Sequence, residues 1–221
     1  NTGEVSAGIW HQPRIEPMQP FEDHDGIYVS PVGMFDIFPE ENILNLGSHD
    51  GDRTIALTEY ADRLFQYKKN KLYIINISED VEYIESEHQF MGINETYQFI
   101  KINNGIAWIN EYGCYFYDGN EVVDLTEGKI LKSGRELNAD NRDLDNMPSW
   151  DSFVGKTGGI GYIPKNQQLV IFNDPFSTFP STYILIYDMK TESWTRGFDR
   201  IDARPKSNFV TNYDNGLMYG C

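Results

Sequence analysis

The chain has 221 residues, of which 40% are hydrophobic and 14% aromatic, and its 34 acidic and 18 basic side chains give a net charge of −16. This apolar content argues against intrinsic disorder, and the charge argues against binding of nucleic-acid phosphates over most of the surface. Apolar runs are short, as at residues 72–75, so the sequence predicts no transmembrane helix.

The first half of the chain predicts strands joined by short turns. Residues 1–25 are expected to be an irregular N-terminal segment, because three prolines fall within residues 4–20. Alternation of apolar and polar residues predicts strands at 26–30, 53–57, 63–67 and 71–77, with residues 68–71 as a polar hairpin tip. Strands at 99–102 and 106–110 predict a further hairpin. Its connection, Asn103, Asn104 and Gly105, consists of residues that tolerate the positive φ of a tight primed turn.

The second half of the chain shows the same pattern of strands joined by turns. Asp118 and Gly119 predict the turn between strands at 114–117 and 121–125. Residues 128–149 are polar and are expected to form a short helix and a long loop between groups of strands. Further strands are predicted at 158–163, 168–173, 183–187 and 193–195, with a turn that begins at Asp188. A last strand at 208–211 meets a turn that contains Gly216.

Strands that follow one another through short loops are typical of antiparallel meanders rather than of parallel βαβ units. A Tyr-Asp turn at 117–118 recurs at 187–188, about 70 residues later, and the second copy is followed by Trp194. This pattern is common in the outer hairpins of β-propeller blades, which hold about 40 to 50 residues each. The sequence therefore predicts an all-β fold in which residues 26–221 are part of a β-propeller of four-stranded meanders. A β-sandwich is the alternative.

The two ends suggest a longer protein. The sequence begins at Asn1 without an initiator Met or a signal peptide, and it stops where a strand pattern is just beginning. We therefore expect the chain to be an excerpt of a longer one.

Carboxylates are the most abundant candidates for chemistry. The pairs at 50 and 52, 85 and 87, and 143 and 145 resemble glycosidase acid/base pairs, but with 34 acidic residues such pairs arise by chance. Asp140, Asp143 and Asp145 provide oxygen ligands that suit Ca²⁺, with a solvated acidic loop as the simpler interpretation. The sequence predicts no catalytic residues, no cofactor-binding residues and no enzymatic activity.

Other potential sites also favour structural roles. The four histidines, His11, His24, His49 and His88, lack metal-binding spacing, and Cys114 is expected to be a small buried side chain. The phosphate-loop pattern fails because its first glycine would fall on Trp150. Structural turns are the remaining interpretation for five positions: Gly105, Asp118, Gly119, Asp188 and Gly216.

Residues 26–131 carry a family resemblance. In chain order they contain a strand at 27–31, segments at 35–39 and 44–57, strands at 60–67 and 71–75, and the run 106–119. This order resembles virion proteins of tailed bacteriophages, podovirus-like or crAss-like, of the tail nozzle, stabilisation or muzzle type. The resemblance implies β-propellers built into the tail and a homo-oligomeric ring with other tail proteins as partners. It also implies a location in the virion after assembly in the host cytoplasm, and it supplies no site residues.

Together these observations predict a non-enzymatic tail component that surrounds the DNA passage and gates or conducts genome ejection. Carboxylates along such a passage would repel the DNA phosphates, so the genome would slide through without specific binding. The alternatives are a host-glycan-binding or glycan-cleaving propeller, that is, an adhesin or depolymerase, and a cellular propeller scaffold.

Overall fold

The computed structural model describes residues 26–34, 36–44, 51–79, 81–133, 149–173, 184–197 and 209–220. The fold is all-β, as predicted, and its main elements are three four-stranded antiparallel sheets. Two two-stranded sheets accompany them, one on each side in chain order. The helices in the described ranges are short: α1 (Trp150–Val154) and two 3-10 turns at Glu40–Asn42 and Thr96–Gln98.

The sheets follow chain order, and we number them I to V. Sheet I contains β1 (Ile27–Tyr28) and β2 (Ile43–Leu44). Sheet II contains β3 (Thr54–Tyr60), β4 (Arg63–Lys68), β5 (Lys71–Asn76) and β6 (Tyr83–Gln89). Sheet III contains β7 (Phe99–Ile102), β8 (Gly105–Asn110), β9 (Gly113–Tyr117) and β10 (Val122–Asp124). Sheet IV contains β11 (Gly159–Ile163), β12 (Gln168–Phe172), β13 (Ile184–Asp188) and β14 (Ser193–Gly197), and sheet V contains β15 (Phe209–Asn212) and β16 (Leu217–Gly220).

Each four-stranded sheet is a meander in which every strand pairs with the next one in the chain. Local hydrogen bonding favours this topology, since a strand needs only a turn of a few residues to meet its antiparallel neighbour. In the hairpin of β3 and β4, Tyr60 pairs with Arg63, and the two residues between them, Ala61 and Asp62, have φ values of 50° and 58°. Positive φ at both central residues is characteristic of a type I′ turn, whose twist matches that of the strands.

Consecutive sheets pack face to face, and an apolar cluster fills each gap. Sheets I and II share a cluster that contains Ile27 and Ile75, and sheets II and III share one that contains Phe65 and Trp108. The cluster between sheets III and IV contains Ile109 and Leu169, and the one between sheets IV and V contains Phe172 and Phe209. Sheet IV is covered on both faces by its neighbours, and successive residues of its strands point to opposite faces. Leu169 and Ile171 of β12 therefore face sheet III, whereas Val170 and Phe172 face sheet V.

The first strands of the later sheets lie next to one another. β11 contacts both β7 and β15. The Tyr213 hydroxyl, at the turn of sheet V, donates a hydrogen bond of 3.2 Å to the carbonyl oxygen of Lys101 in sheet III. Lys101 also forms an ion pair with Glu59 of β3. The first strands of sheets III, IV and V therefore approach one another, and one exposed ion pair connects β3 of sheet II to β7.

Several local predictions were wrong. Lys68 was expected at a polar hairpin tip, but it ends β4 and is fully buried, with its ammonium group 5.5 Å from the centre of the Tyr73 ring. Neither Asn103 nor Asn104, both described, lies at positive φ, so the turn before Gly105 is not of the primed type. No strand was predicted at β6, because its exposed position on the edge of sheet II permits a polar sequence.

The predicted helix and loop at 128–149 are described in part. Helix α1 begins at Trp150, just beyond that range, and residues 134–148 lie outside the described residues. The predicted irregular segment at 1–25 also lies outside them.

Candidate functional site

The two predicted Tyr-Asp turns have the same geometry. Each aspartate lies where the third strand of its sheet ends: Asp118 directly follows β9, and Asp188 is the last residue of β13. Asp118 Oδ1 accepts hydrogen bonds from the backbone N–H groups of residues 120 and 121, at 2.8 and 3.1 Å. Asp188 Oδ1 accepts from those of residues 190 and 191, at 3.0 and 3.1 Å. These carboxylates shape their turns, since an Asx side chain can replace a backbone acceptor there.

The same hydrogen bonds hold these carboxylates in the ionised form. Backbone donors lower the pKa of Asp118, and a hydrogen bond from the Gln168 amide together with backbone donors lowers that of Asp188. A carboxyl group with a lowered pKa has no proton to donate at neutral pH, so neither residue can act as a general acid there.

Different structural constraints favour glycine at the predicted turn positions. A Cβ on Gly105 would lie 2.1 Å from the Tyr117 carbonyl oxygen, so close packing of backbone against backbone requires glycine. Gly119 and Gly216 have φ values of 109° and 69°, which favour glycine in their turns.

The described members of the predicted carboxylate pairs, Asp52, Glu85 and Glu87, make contacts with other groups. The Arg63 guanidinium donates to Glu85 at 3.0 Å and lowers the pKa of that carboxyl, and Lys71 lies 3.2 Å from Glu87. Asp52 accepts a hydrogen bond of 2.7 Å from the backbone of Asn70. The other predicted carboxylates, the calcium candidates Asp140, Asp143 and Asp145 and the pair member Asp50, lie outside the described residues, as do His11, His24 and His49.

Two further candidate side chains lie in strands, Cys114 in β9 and the half-buried His88 in the edge strand β6. Cys114 is completely buried, and burial raises the pKa of its thiol well above the ordinary value. Burial also lowers the pKa of His88, whose Nε2 lies 3.0 Å from the Ser86 hydroxyl. A thiol that keeps its proton is a poor nucleophile and metal ligand.

A cleft of about 290 Å³ opens between sheets III and IV. Three buried rings contribute to its apolar lining, those of Phe116, Tyr162 and Tyr187. Charged groups also line it, among them Asp118, Asp124, Lys129 and Glu192. Its volume is near the lower limit of typical small-molecule sites.

One charged side chain, Lys129, bridges the cleft between sheets III and IV. The Lys129 ammonium donates a hydrogen bond of 2.9 Å to the carbonyl oxygen of Glu192 and lies 5.3 Å from the centre of the Tyr187 ring. Asp124 Oδ2 accepts a hydrogen bond of 2.6 Å from Lys132. The Lys129 contact thus links the segment after β10 to the turn between β13 and β14, whereas the Asp124–Lys132 contact stays on the side of sheet III.

A second surface feature was not predicted from the sequence. Phe90 follows β6 and Tyr112 lies in the turn between β8 and β9, and their exposed rings meet at 66° with centroids 5.4 Å apart. Asn110, which is buried, hydrogen-bonds to both segments. The sequence offered one local signal, an Asn two residues before a turn tyrosine, but nothing that connects it to Phe90.

Comparisons with protein-family models and with curated proteins find no match to this chain. Within the described ranges, no group of three or more His, Cys, Asp or Glu side chains is arranged to hold a metal ion. The same ranges contain no helix with the length and hydrophobicity needed to cross a membrane.

Proposed function

We propose that this chain is a structural component of a bacteriophage tail, in which the sheets are propeller blades and several copies form a ring around the DNA passage. The resemblance of residues 26–131 to tail nozzle and muzzle-type proteins motivates the proposal. The observation that supports it best is the convergence of sheets III to V along their first strands.

Convergence of this kind favours a radial arrangement over a simple sandwich. In a propeller the first strand of each blade lies nearest the axis, so the first strands of neighbouring blades come close while the outer strands diverge. The hydrogen bond from Tyr213 to Lys101 links sheets III and V past sheet IV, on the side of β11. The rings of Tyr97 and Phe209 both approach Gly159 at the start of β11, at 3.7 and 3.4 Å from where a Cβ would lie.

The net charge of −16 suits this role. Carboxylates that face the passage would repel DNA phosphates, which lets the genome move without adhering. The same charge would attract basic partner proteins to the outside of the ring. The proposal thus assigns the acidity a function in both conduction and assembly.

Electron microscopy of the native particle tests the proposal. We expect ring density at the tail that accommodates the stacked sheets, with acidic side chains concentrated on the passage surface. Absence of the protein from purified particles would contradict the tail assignment. An even distribution of charge around the ring would contradict the DNA-repulsion argument alone.

The second candidate is a host-glycan-binding or glycan-cleaving propeller, and the cleft between sheets III and IV favours it. Aromatic rings beside carboxylates suit a sugar, because the rings pack against its apolar face and the carboxylates accept hydrogen bonds from its hydroxyl groups. A glycan array and a hydrolysis assay distinguish the two functions. Binding that is lost when Lys129→Glu alters the lining of the cleft would support the glycan function.

A further inference from the structure

Two exposed aromatic rings lie side by side where sheets II and III meet. Phe90 is 60% exposed and Tyr112 is 44% exposed. Aromatic residues usually stabilise a fold by burying their large apolar area, and most of the benefit is lost when they face solvent. Core packing therefore does not account for this pair.

The backbone at Phe90 is strained as well. Its φ is 62°, in the left-handed region where a Cβ crowds the backbone and where glycine or asparagine is favoured. A bulky residue in this region is an outlier, and such strained positions concentrate at binding and active sites. The strain is maintained by neighbours, since the Phe90 N–H donates a hydrogen bond of 2.8 Å to the carbonyl oxygen of Asn70.

One buried side chain positions both rings. The Asn110 amide Nδ2 donates hydrogen bonds to the carbonyl oxygens of Phe90 and Gly92, each at 2.8 Å. Its Oδ1 accepts from the N–H groups of Tyr112 and Gly113, at 2.8 and 3.1 Å. Because Asn110 is only 4% exposed, its orientation is fixed and the two segments are held relative to each other.

The chemistry of the pair favours a cation. Aromatic faces carry partial negative charge. Glu111 is the neighbour of Tyr112 in the turn, and burial together with the charge and hydrogen bond of the Glu111 carboxylate raises the pKa of the Tyr112 phenol. The chain as a whole carries −16, which disfavours anions at its surface. We propose that Phe90, Tyr112 and Glu111 bind an arginine side chain of a basic partner protein.

Arginine fits this surface because its planar guanidinium group stacks on aromatic rings and pairs with carboxylates. The identity of the partner as a tail protein rests on the proposed function, whereas the cation-binding chemistry does not. A failure of one is therefore distinguishable from a failure of the other: ring formation is examined in the particle, and cation binding on the isolated protein.

A fluorescently labelled hexa-arginine peptide is the probe, with fluorescence anisotropy as the readout. The Phe90→Ala/Tyr112→Ala double variant keeps the net charge, so it isolates the rings from the overall attraction between an acidic protein and a basic peptide. We expect its Kd to be about tenfold weaker than that of the unmodified protein. Tyr83→Ala, which removes a ring of 43% exposure from β6, is the matched control and should leave Kd unchanged.

Thermal unfolding separates binding from folding. Phe90→Asn relieves the strained φ but removes the ring contact, and these effects oppose each other, so we expect Tm to change by no more than about 3 °C while peptide binding weakens. A much larger fall in Tm would assign Phe90 a structural role instead. Equal peptide binding by the double variant, or ring-dependent binding of maltohexaose in place of the peptide, would overturn the proposal.

Discussion

Asn110→Ala is expected to destabilise the protein strongly, because one amide satisfies four backbone groups in two separate turns. Two of its partners, Gly92 and Gly113, are buried, so their polar groups would lose their hydrogen bonds without gaining water. Each unsatisfied buried group costs about 1–3 kcal/mol, whereas the partners at the exposed residues Phe90 and Tyr112 can be resolvated. We expect a loss of about 3 kcal/mol in the free energy of unfolding, which corresponds to a fall of about 6–12 °C in Tm.

Urea unfolding followed by circular dichroism measures this loss. Asn104→Ala is the matched control, since Asn104 is an exposed residue in the turn between β7 and β8 and should change stability by no more than about 0.5 kcal/mol. Asn110→Asp places a carboxylate against the carbonyl oxygens of Phe90 and Gly92, so its loss at pH 7 should exceed that of Asn110→Ala and diminish as acid protonates the new carboxyl group. If Asn110→Ala and Asn104→Ala unfold at the same urea concentration, the amide does not hold the two turns together and the reasoning fails.

Three further predictions concern the sheets. Gly105→Ala forces a Cβ to 2.1 Å from a carbonyl oxygen and should prevent or severely weaken folding. Gly159→Ala is the control and should fold normally, because the nearest contact of its Cβ is at 3.4 Å. The soluble yield and the Tm of the two variants test this difference. The buried Tyr67 hydroxyl has no hydrogen-bond partner in the described part of the chain, so Tyr67→Phe should leave the free energy of unfolding unchanged or raise it by about 1 kcal/mol. Tyr117→Phe should instead lower it by about 1 kcal/mol, because that hydroxyl donates to a backbone carbonyl at 2.9 Å, and equal effects in urea titrations would refute the distinction. Since burial raises the pKa of the Cys114 thiol, the unfolded chain releases a proton above about pH 8.5 that the folded chain keeps, so stability should fall as the pH rises from 8 to 10. Cys114→Ala should reduce that slope in urea titrations at each pH, and an unchanged slope would show that the thiol does not contribute.

Local chemistry made much of the fold predictable. The strands of sheets III and IV follow from apolar runs bounded by turn residues, and Asp118 and Asp188 begin turns whose hydrogen bonds reach only two or three residues along the chain. Signals of this range are contained in a few consecutive residues. Strand β6 was not predicted, because an exposed edge strand needs no apolar pattern and therefore gives no such local signal.

Other features depend on which segments meet. Lys68 looks like a turn residue in the sequence, yet it is buried at the end of β4, where its carbonyl oxygen accepts a hydrogen bond of 2.9 Å from the backbone of Ile93. The type I′ turn formed by Ala61 and Asp62 contains neither Asn nor Gly, so pairing of the flanking strands overrides local preference there. Periodicity and turn propensity carry no information about such partners.

The sequence by itself therefore determined that the chain is acidic, all-β and built from antiparallel meanders, since net charge, period-two alternation and turn chemistry are local properties. Only the tertiary structure decided how the sheets stack and which side chains share a surface. Phe90 and Asn110 are separated by 20 residues, and Tyr213 and Lys101 by 112, so their contacts exist only after the sheets have packed. The physical reason is that inter-sheet packing depends on the shape of complete apolar faces, which no short stretch of residues specifies.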